Sequence, residues 1–248
     1  MRVLATMLVC LGAVLGGFSA EAAEQPARVR ALLITGDDVP AHPWQEMAEA
    51  TREALDATSR VQVRVSEDPL ILESKAALER YDVIMMLMYN RHLPTITDQA
   101  KENLLEFVRG GKGFYVQHLA SASFAEWDEY GELCGRYWVM GTSGHGPHKT
   151  FTATIADDDH PITKGMESFT TDDELYARLQ GDTEIQVLVT AESSWSKQVE
   201  PLVFVHNYGE GRVAHNAFGH DGKALRNPPV ARIIARAVEW AATGAVAD

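Results

Sequence analysis

Residues Gly110–Phe124 read GGKGFYVQHLASASF, and the fold turns on this stretch. A pair of glycines is followed by the apolar run Phe114-Tyr115-Val116, then by His118 where the run stops, then by the small residues Ala120–Ser123. A short buried strand that ends in a sharp turn before a helix is how open α/β sheets present chemistry, because the carboxyl ends of the strands line the crevice. His118 stands at that position.

Working outward, Arg30–Thr35 is an apolar run closed by Gly36, and Val61, Val63 and Val65 alternate as in a second strand. Tyr81–Tyr89, YDVIMMLMY, reads as a central strand buried on both faces. Between these runs Met47, Ala50, Ala54 and Leu55 recur at helical spacing after Pro43, which suits a first helical turn. Ala100, Leu104, Leu105 and Val108 share a second helical face, introduced by Pro94 and Thr97 and ended by Gly110-Gly111. Phe124, Trp127, Tyr130, Leu133 and Cys134 predict one aromatic-faced helix after His118. Strands alternating with helices imply parallel crossovers and an α/β sheet covered on both faces. Beyond residue 150 the pattern changes to strands at 151–155, 184–190, 201–207 and 212–217. The last two form a hairpin across Tyr208-Gly209-Glu210-Gly211, and Pro228 then opens a final helix.

The first 22 residues have the layout of a secretory leader: Arg2, an apolar run, then small residues near Ala20 and Ala22. The run is short of the roughly 20 residues a spanning helix needs, and Gly16-Gly17 interrupts it. The expectation is a signal peptide at 1–22, one domain over 28–243, and an exported, periplasmic or secreted product with no membrane partner after cleavage. Cys10 lies in the leader, so Cys134 is the one cysteine of the mature chain and no internal disulfide can form. A net charge of −13 and the lack of a basic patch argue against nucleic acid and anionic membrane.

Of the nine histidines, His42, His118, His145, His148 and His220 fall in loops after apparent strands or beside glycine, while His92, His160 and His206 read as structural. An α/β sheet gathers such loops at one edge. A polar pocket of imidazoles with a carboxylate, Glu174 or Asp173, follows from that placement. Such a pocket suits either a divalent, zinc-like metal on neutral imidazoles or acid–base groups for a hydroxyl-rich substrate. His118, His145 and Glu174 are the candidate catalytic residues. His118, His145 and His220 are the candidate metal ligands, and His42, Trp44, Ser121, His148 and Asp221 the candidate substrate contacts. Trp44, Trp127 and Trp138 have flat faces that suit a sugar ring, although aromatics at helical spacing more often pack in the core. No G-x-S-x-G or G-x-C-x-G motif occurs, and Cys134 falls within a helix pattern, so cysteine-dependent amidotransfer is excluded.

Eight segments in order resemble the ThuA-like, trehalose-utilisation family. They are His42-Pro43-Trp44 with Glu46, the 110–124 stretch, Trp127 with Tyr130, SGHGP at 143–147, DHPIT at 159–163, DELY at 173–176, YGEGRV at 208–213 and FGHD at 218–221. The resemblance runs from Arg30 to Ala242. It implies a class I glutamine amidotransferase-like, flavodoxin-related α/β fold without the amidotransferase cysteine, and a role in the catabolism of disaccharides, including their 3-keto derivatives. Two departures reduce the supply of ligands: Gln117 stands where many relatives have a second histidine, and DDVPA replaces a histidine- or glycine-rich loop. Two functions remain open at this level, an enzyme cleaving a keto-glycoside and a non-catalytic carbohydrate-binding accessory of a sugar-uptake system.

Overall fold

The computed structural model describes residues 28–92 and 95–247. The expected leader at 1–22, with Cys10, and Pro94 lie outside the described residues. In chain order the elements are β1 (Val29–Ile34), α1 (Trp44–Asp56), β2 (Val61–Ser66), α2 (Lys75–Leu78), β3 (Val83–Met86), α3 (Asp98–Arg109), β4 (Gly113–Gln117) and α4 (Asp128–Cys134). There follow β5 (Gly144–His145), β6 (Lys149–Ile155), β7 (Phe169–Asp173), β8 (Tyr176–Ala177), β9 (Gln186–Glu192), β10 (Val199–Tyr208), β11 (Gly211–Asn216), α5 (Gly222–Leu225) and α6 (Pro228–Thr243).

One nine-stranded sheet runs β2-β1-β3-β4-β11-β10-β9-β6-β7, and β5 pairs with β8 beside it. The first five are mutually parallel, in the strand order of flavodoxin-like sheets. From β11 outward each pairing is antiparallel. The C-terminal hairpin therefore adds β11 to the edge of the parallel block beside β4, so the loop after β11 opens beside the loop after β4.

Period-two alternation sends Ala31, Leu33, Val83, Met85 and Tyr115 to one face, where they meet Met47 and Leu55 of α1 and Ile233, Ile234 and Val238 of α6. Leu32, Ile34, Ile84, Met86, Phe114 and Val116 go to the other face, against Leu104, Leu105 and Val108 of α3 and Tyr130 and Leu133 of α4. Each fully buried aliphatic or phenyl side chain contributes about 1.5–3 kcal/mol, and two such layers fix which strand ends lie together.

Three expectations are adjusted. Pro43 is the residue before α1, which starts at Trp44. The apolar run 81–89 forms a strand only at Val83–Met86; Leu87 and Met88 stay buried outside it, their carbonyls taking hydrogen bonds from the Thr35 and Ser123 hydroxyls. The helix expected from Phe124 is broken. A 3-10 turn spans His118–Ala122, Phe124 takes φ 51°, and α4 begins only at Asp128. Phe124, Trp127 and Tyr130 nevertheless pack on one another, with ring centroids 5.1–5.9 Å apart. The three- and four-residue spacing reported a cluster rather than a continuous helix.

Candidate metal and catalytic site

His118 is wholly buried at the end of β4 and has φ 43°, the left-handed region where a non-glycine residue is strained. Its Nδ1 lies 2.7 Å from the carbonyl oxygen of Ala217, just past β11. A carbonyl only accepts, so Nδ1 carries the proton and Nε2 is left with its lone pair. Nε2 is buried, has no hydrogen-bond partner and lies 3.9 Å from Glu174 Oε2.

Three other loops converge on that atom. His42 is held by its own N–H bonded to Val39 O at 2.8 Å, directly before α1. Its ring sits 5.3 Å from that of His118 and 4.7 Å from that of His220, and neither ring nitrogen has a partner. Glu174 follows β7. His220 follows β11, its Nδ1 3.1 Å from Glu174 Oε2 but off-axis for a hydrogen bond. One donor atom from each of His42, His118, Glu174 and His220 lies within 4.8 Å of every other.

The support beneath this set is Asp173. Fully buried, its carboxylate accepts the backbone N–H groups of Gly219 (2.7 Å), His220 (3.0 Å) and Glu174 (2.8 Å), so one residue sets the position of two donors. Burial raises its carboxyl to about 6 against the pull of those three donors.

The electrostatics suit a cation. Burial lowers His42 to about 4, with His220 adding to the effect, and burial together with His42 lowers His118 well below its ordinary value. Both rings are therefore neutral at pH 7, the form that ligates metals. His220 is raised, chiefly by Glu174. Burial pushes Glu174 up, but His220, His145 and His42 outweigh it and the carboxylate is lowered overall. Buried ring nitrogens without partners are costly, and a shared divalent ion relieves that cost. At metal–ligand distances near 2.1 Å, the donors of a tetrahedral set stand about 3.4 Å apart, so closing on an ion asks the most widely spaced donors to approach by up to about 1.4 Å. Three imidazoles and one carboxylate favour a zinc-like ion over magnesium or calcium.

Four of the five loop histidines read from the sequence, His42, His118, His145 and His220, gather around Glu174, but the donor set differs from the expected His118, His145 and His220. His42 and Glu174 join it, and His145 stands outside. His145 Nδ1 is 2.7 Å from Gly146 O and 3.6 Å from Glu174 Oε1. Bonding to that carbonyl places its proton on Nδ1 and leaves Nε2 as a base at the mouth of the site. His148 is exposed, its ring 5.2 Å from that of His220. Ser121 is buried and donates to His118 O at 2.9 Å, and Asp221 caps α5 by accepting the Ala224 N–H at 2.8 Å, so both side chains are engaged in the scaffold. Trp44 donates to Asp38 at 2.7 Å. Gln117 is bonded to Tyr115 Oη and to Phe218 O, both at 2.5 Å, and takes no part in the cluster. The four remaining histidines have structural contacts: His92 with Asp37, His160 with Ile162 N–H, His206 with Leu133 O and His215 with Cys134 O. Burial holds the Cys134 thiol protonated, which removes it as a nucleophile.

Residues 30–241 match the ThuA family, described as trehalose utilisation. The chain belongs to that family. Membership implies a role related to trehalose utilisation for this ThuA chain. A ThuA-like protein from Parabacteroides merdae is 25% identical, with 89% of this chain and 92% of that one aligned at a TM-score of 0.78. A second, from Bacteroides uniformis, is 17% identical, with 92% and 98% aligned at 0.70. A β-galactosidase from Bacillus circulans shares the fold over 82% of this chain and 30% of its own, with 13% identity and a TM-score of 0.55. No curated protein matches the chain. In the ThuA chain the segments His42-Pro43-Trp44, DELY and FGHD each deliver one donor of the cluster, and GGKGFYVQHLASASF delivers the fourth.

Proposed function

We propose that this ThuA chain, once exported, cleaves the glycosidic C–O bond of a disaccharide or related glycoside carrying a 3-keto group, with a divalent ion held by His42, His118, Glu174 and His220. The observation that carries this reading is the set of buried, partnerless nitrogens on His42 and His118, with His220 Nδ1 3.1 Å from the carboxylate they face. When bound, the ion supplies Lewis-acid polarisation of the ketone oxygen.

The chain's own residues supply the rest. A 3-keto group acidifies the C2 proton. His145 Nε2, its partner nitrogen engaged by Gly146 O, takes that proton, and the C2–H electron pair becomes the C1–C2 bond order as the C1–O bond breaks. The departing oxygen takes a proton from His148 or solvent, giving an unsaturated keto sugar and the free alcohol; addition of water across the new double bond completes a net hydrolysis. Asp173 keeps Glu174 and His220 in place throughout.

Incubation of purified protein with 3-keto and unmodified disaccharides, with and without chelator, tests this reading. Release of the alcohol from the keto sugar alone, lost with chelator and in His145→Gln, supports it. Binding of the unmodified sugar with no product under any condition favours the carbohydrate-binding role instead.

A further inference from the structure

The chemistry above leaves the second ring of the substrate without a place, and Trp138 supplies one. Its backbone is fixed at the floor of the site, the N–H bonded to Ser121 O at 2.9 Å, and its neighbours Tyr137 and Val139 are tied to Gln180 and Ser143. The half-buried indole packs 4.7 Å from the ring of Tyr176 and 6.1 Å from that of His145. Tyr176 in turn stacks on His118 at 3.9 Å. The indole therefore ends an aromatic series that starts at a candidate metal ligand and reaches the solvent side beside the base. Trp138 is half-buried, and its indole Nε1–H is a donor that can serve an incoming hydroxyl.

The charges around it limit what can bind. All the ion pairs of Glu174 are with histidines. The nearby cations are engaged elsewhere: Arg178 lies over Trp195 at 5.0 Å, and Lys223 pairs with Asp172 at 2.9 Å. Lys149, in register with Asp173, donates to the Ser194 hydroxyl at 2.8 Å, so these three cations are each engaged by another side chain.

We infer that Trp138 is the stacking platform for the second, uncharged sugar ring of a disaccharide whose other ring lies at the His42–His118–Glu174–His220 cluster. The inference rests on the sugar reading proposed above. An indole face covers the apolar C–H face of a pyranose, and its N–H meets an equatorial hydroxyl, a pairing of flat apolar surface and one polar edge that suits a neutral ring.

Calorimetric titration of the whole protein with trehalose, and with methyl α-glucoside as the single-ring probe, tests it. Trp138→Ala is expected to weaken trehalose binding at least about tenfold and to leave methyl glucoside unchanged. Trp138→Phe, which keeps an aromatic face toward Tyr176 but loses the N–H and part of the indole's area, is expected to lose a few-fold and safeguards the test if the alanine variant is unstable. Trehalose binding unchanged in both variants, or an equal loss for both probes, overturns the platform while leaving the sugar reading intact. Wild-type protein that binds neither sugar overturns the platform, and the sugar reading falls with it only if the 3-keto disaccharide also fails to bind.

Discussion

His118 Nδ1 is bonded to the carbonyl of Ala217 at 2.7 Å, which joins the end of β4 to the end of β11. That single contact does two things. It fixes the tautomer, so the lone pair on Nε2 faces His42, Glu174 and His220, and it holds His118 in the left-handed conformation (φ 43°) that its position requires.

Asp173 is the second support. Asp173→Asn keeps one acceptor oxygen but turns an amide N–H₂ toward a backbone donor it formerly satisfied. Stability is expected to fall by about 1–3 kcal/mol, and metal affinity by roughly 10- to 100-fold. Chemical denaturation and a competitive metal titration measure the two separately. Unchanged affinity would show that the loops at Glu174 and His220 hold their place without it.

Metal uptake is expected to depend on pH through His220. His42 and His118 are already neutral at pH 7, being lowered by burial, whereas Glu174 raises His220. The ion must displace that proton, so affinity rises with pH until His220 is neutral and falls about tenfold per unit below it. Titrations at pH 6, 7 and 8 check the slope; a flat profile contradicts it.

Stability of the metal-free protein has its own pH dependence, to which His215 adds alongside the lowered His42 and His118. The His215 ring is fully buried, and burial lowers it to about 4. The unfolded chain, with an ordinary value near 6.5, takes up the proton first as pH falls. The contribution is therefore complete above about pH 6.5 and is lost between 6.5 and 4, on the order of 3 kcal/mol. In metal-free protein, urea midpoints should decline across that window, and His215→Gln should make the decline shallower.

Gly211 tests the hairpin that brings β11 home. A Cβ there would stand 2.0 Å from Val108 O and 2.5 Å from Lys112 O, both backbone atoms with little room to yield. Gly211→Ala is expected to destabilise by about 1–3 kcal/mol, seen as a lower thermal midpoint. An unchanged midpoint would mean that α3 does not press on β11 in solution.

Much of this was legible in the chain itself. The apolar runs around Leu32, Val63 and Tyr115 and the glycine-marked turn at 209–211 have the period and punctuation of their elements, so β1, β2, β4 and the β10–β11 hairpin could be read directly. The run 81–89 was longer than its strand because Thr35 and Ser123 satisfy the carbonyls of Leu87 and Met88, which lets apolar residues stay buried without a ladder. Loop placement was enough to gather four of the five histidines. It was not enough to sort them, because four donors from four loops leave no spacing in the sequence. His42 replaces His145 among the donors only once the fold brings the loops after β1, β4, β7 and β11 together. The role of Asp173 was hidden for a different reason: its partners are backbone N–H groups, which carry no side-chain signature.

The central claim is that His42, His118, Glu174 and His220 together hold one divalent ion. Titration of metal-free protein with Zn²⁺, read by calorimetry and by metal content after gel filtration, tests it most directly. The expected result is one ion per chain for the wild type, and at least about 100-fold weaker binding for His118→Ala and for Glu174→Gln, with the folded signal retained in both. Wild-type protein that binds Zn²⁺ no more tightly than the His118→Ala, Glu174→Gln double variant would contradict it.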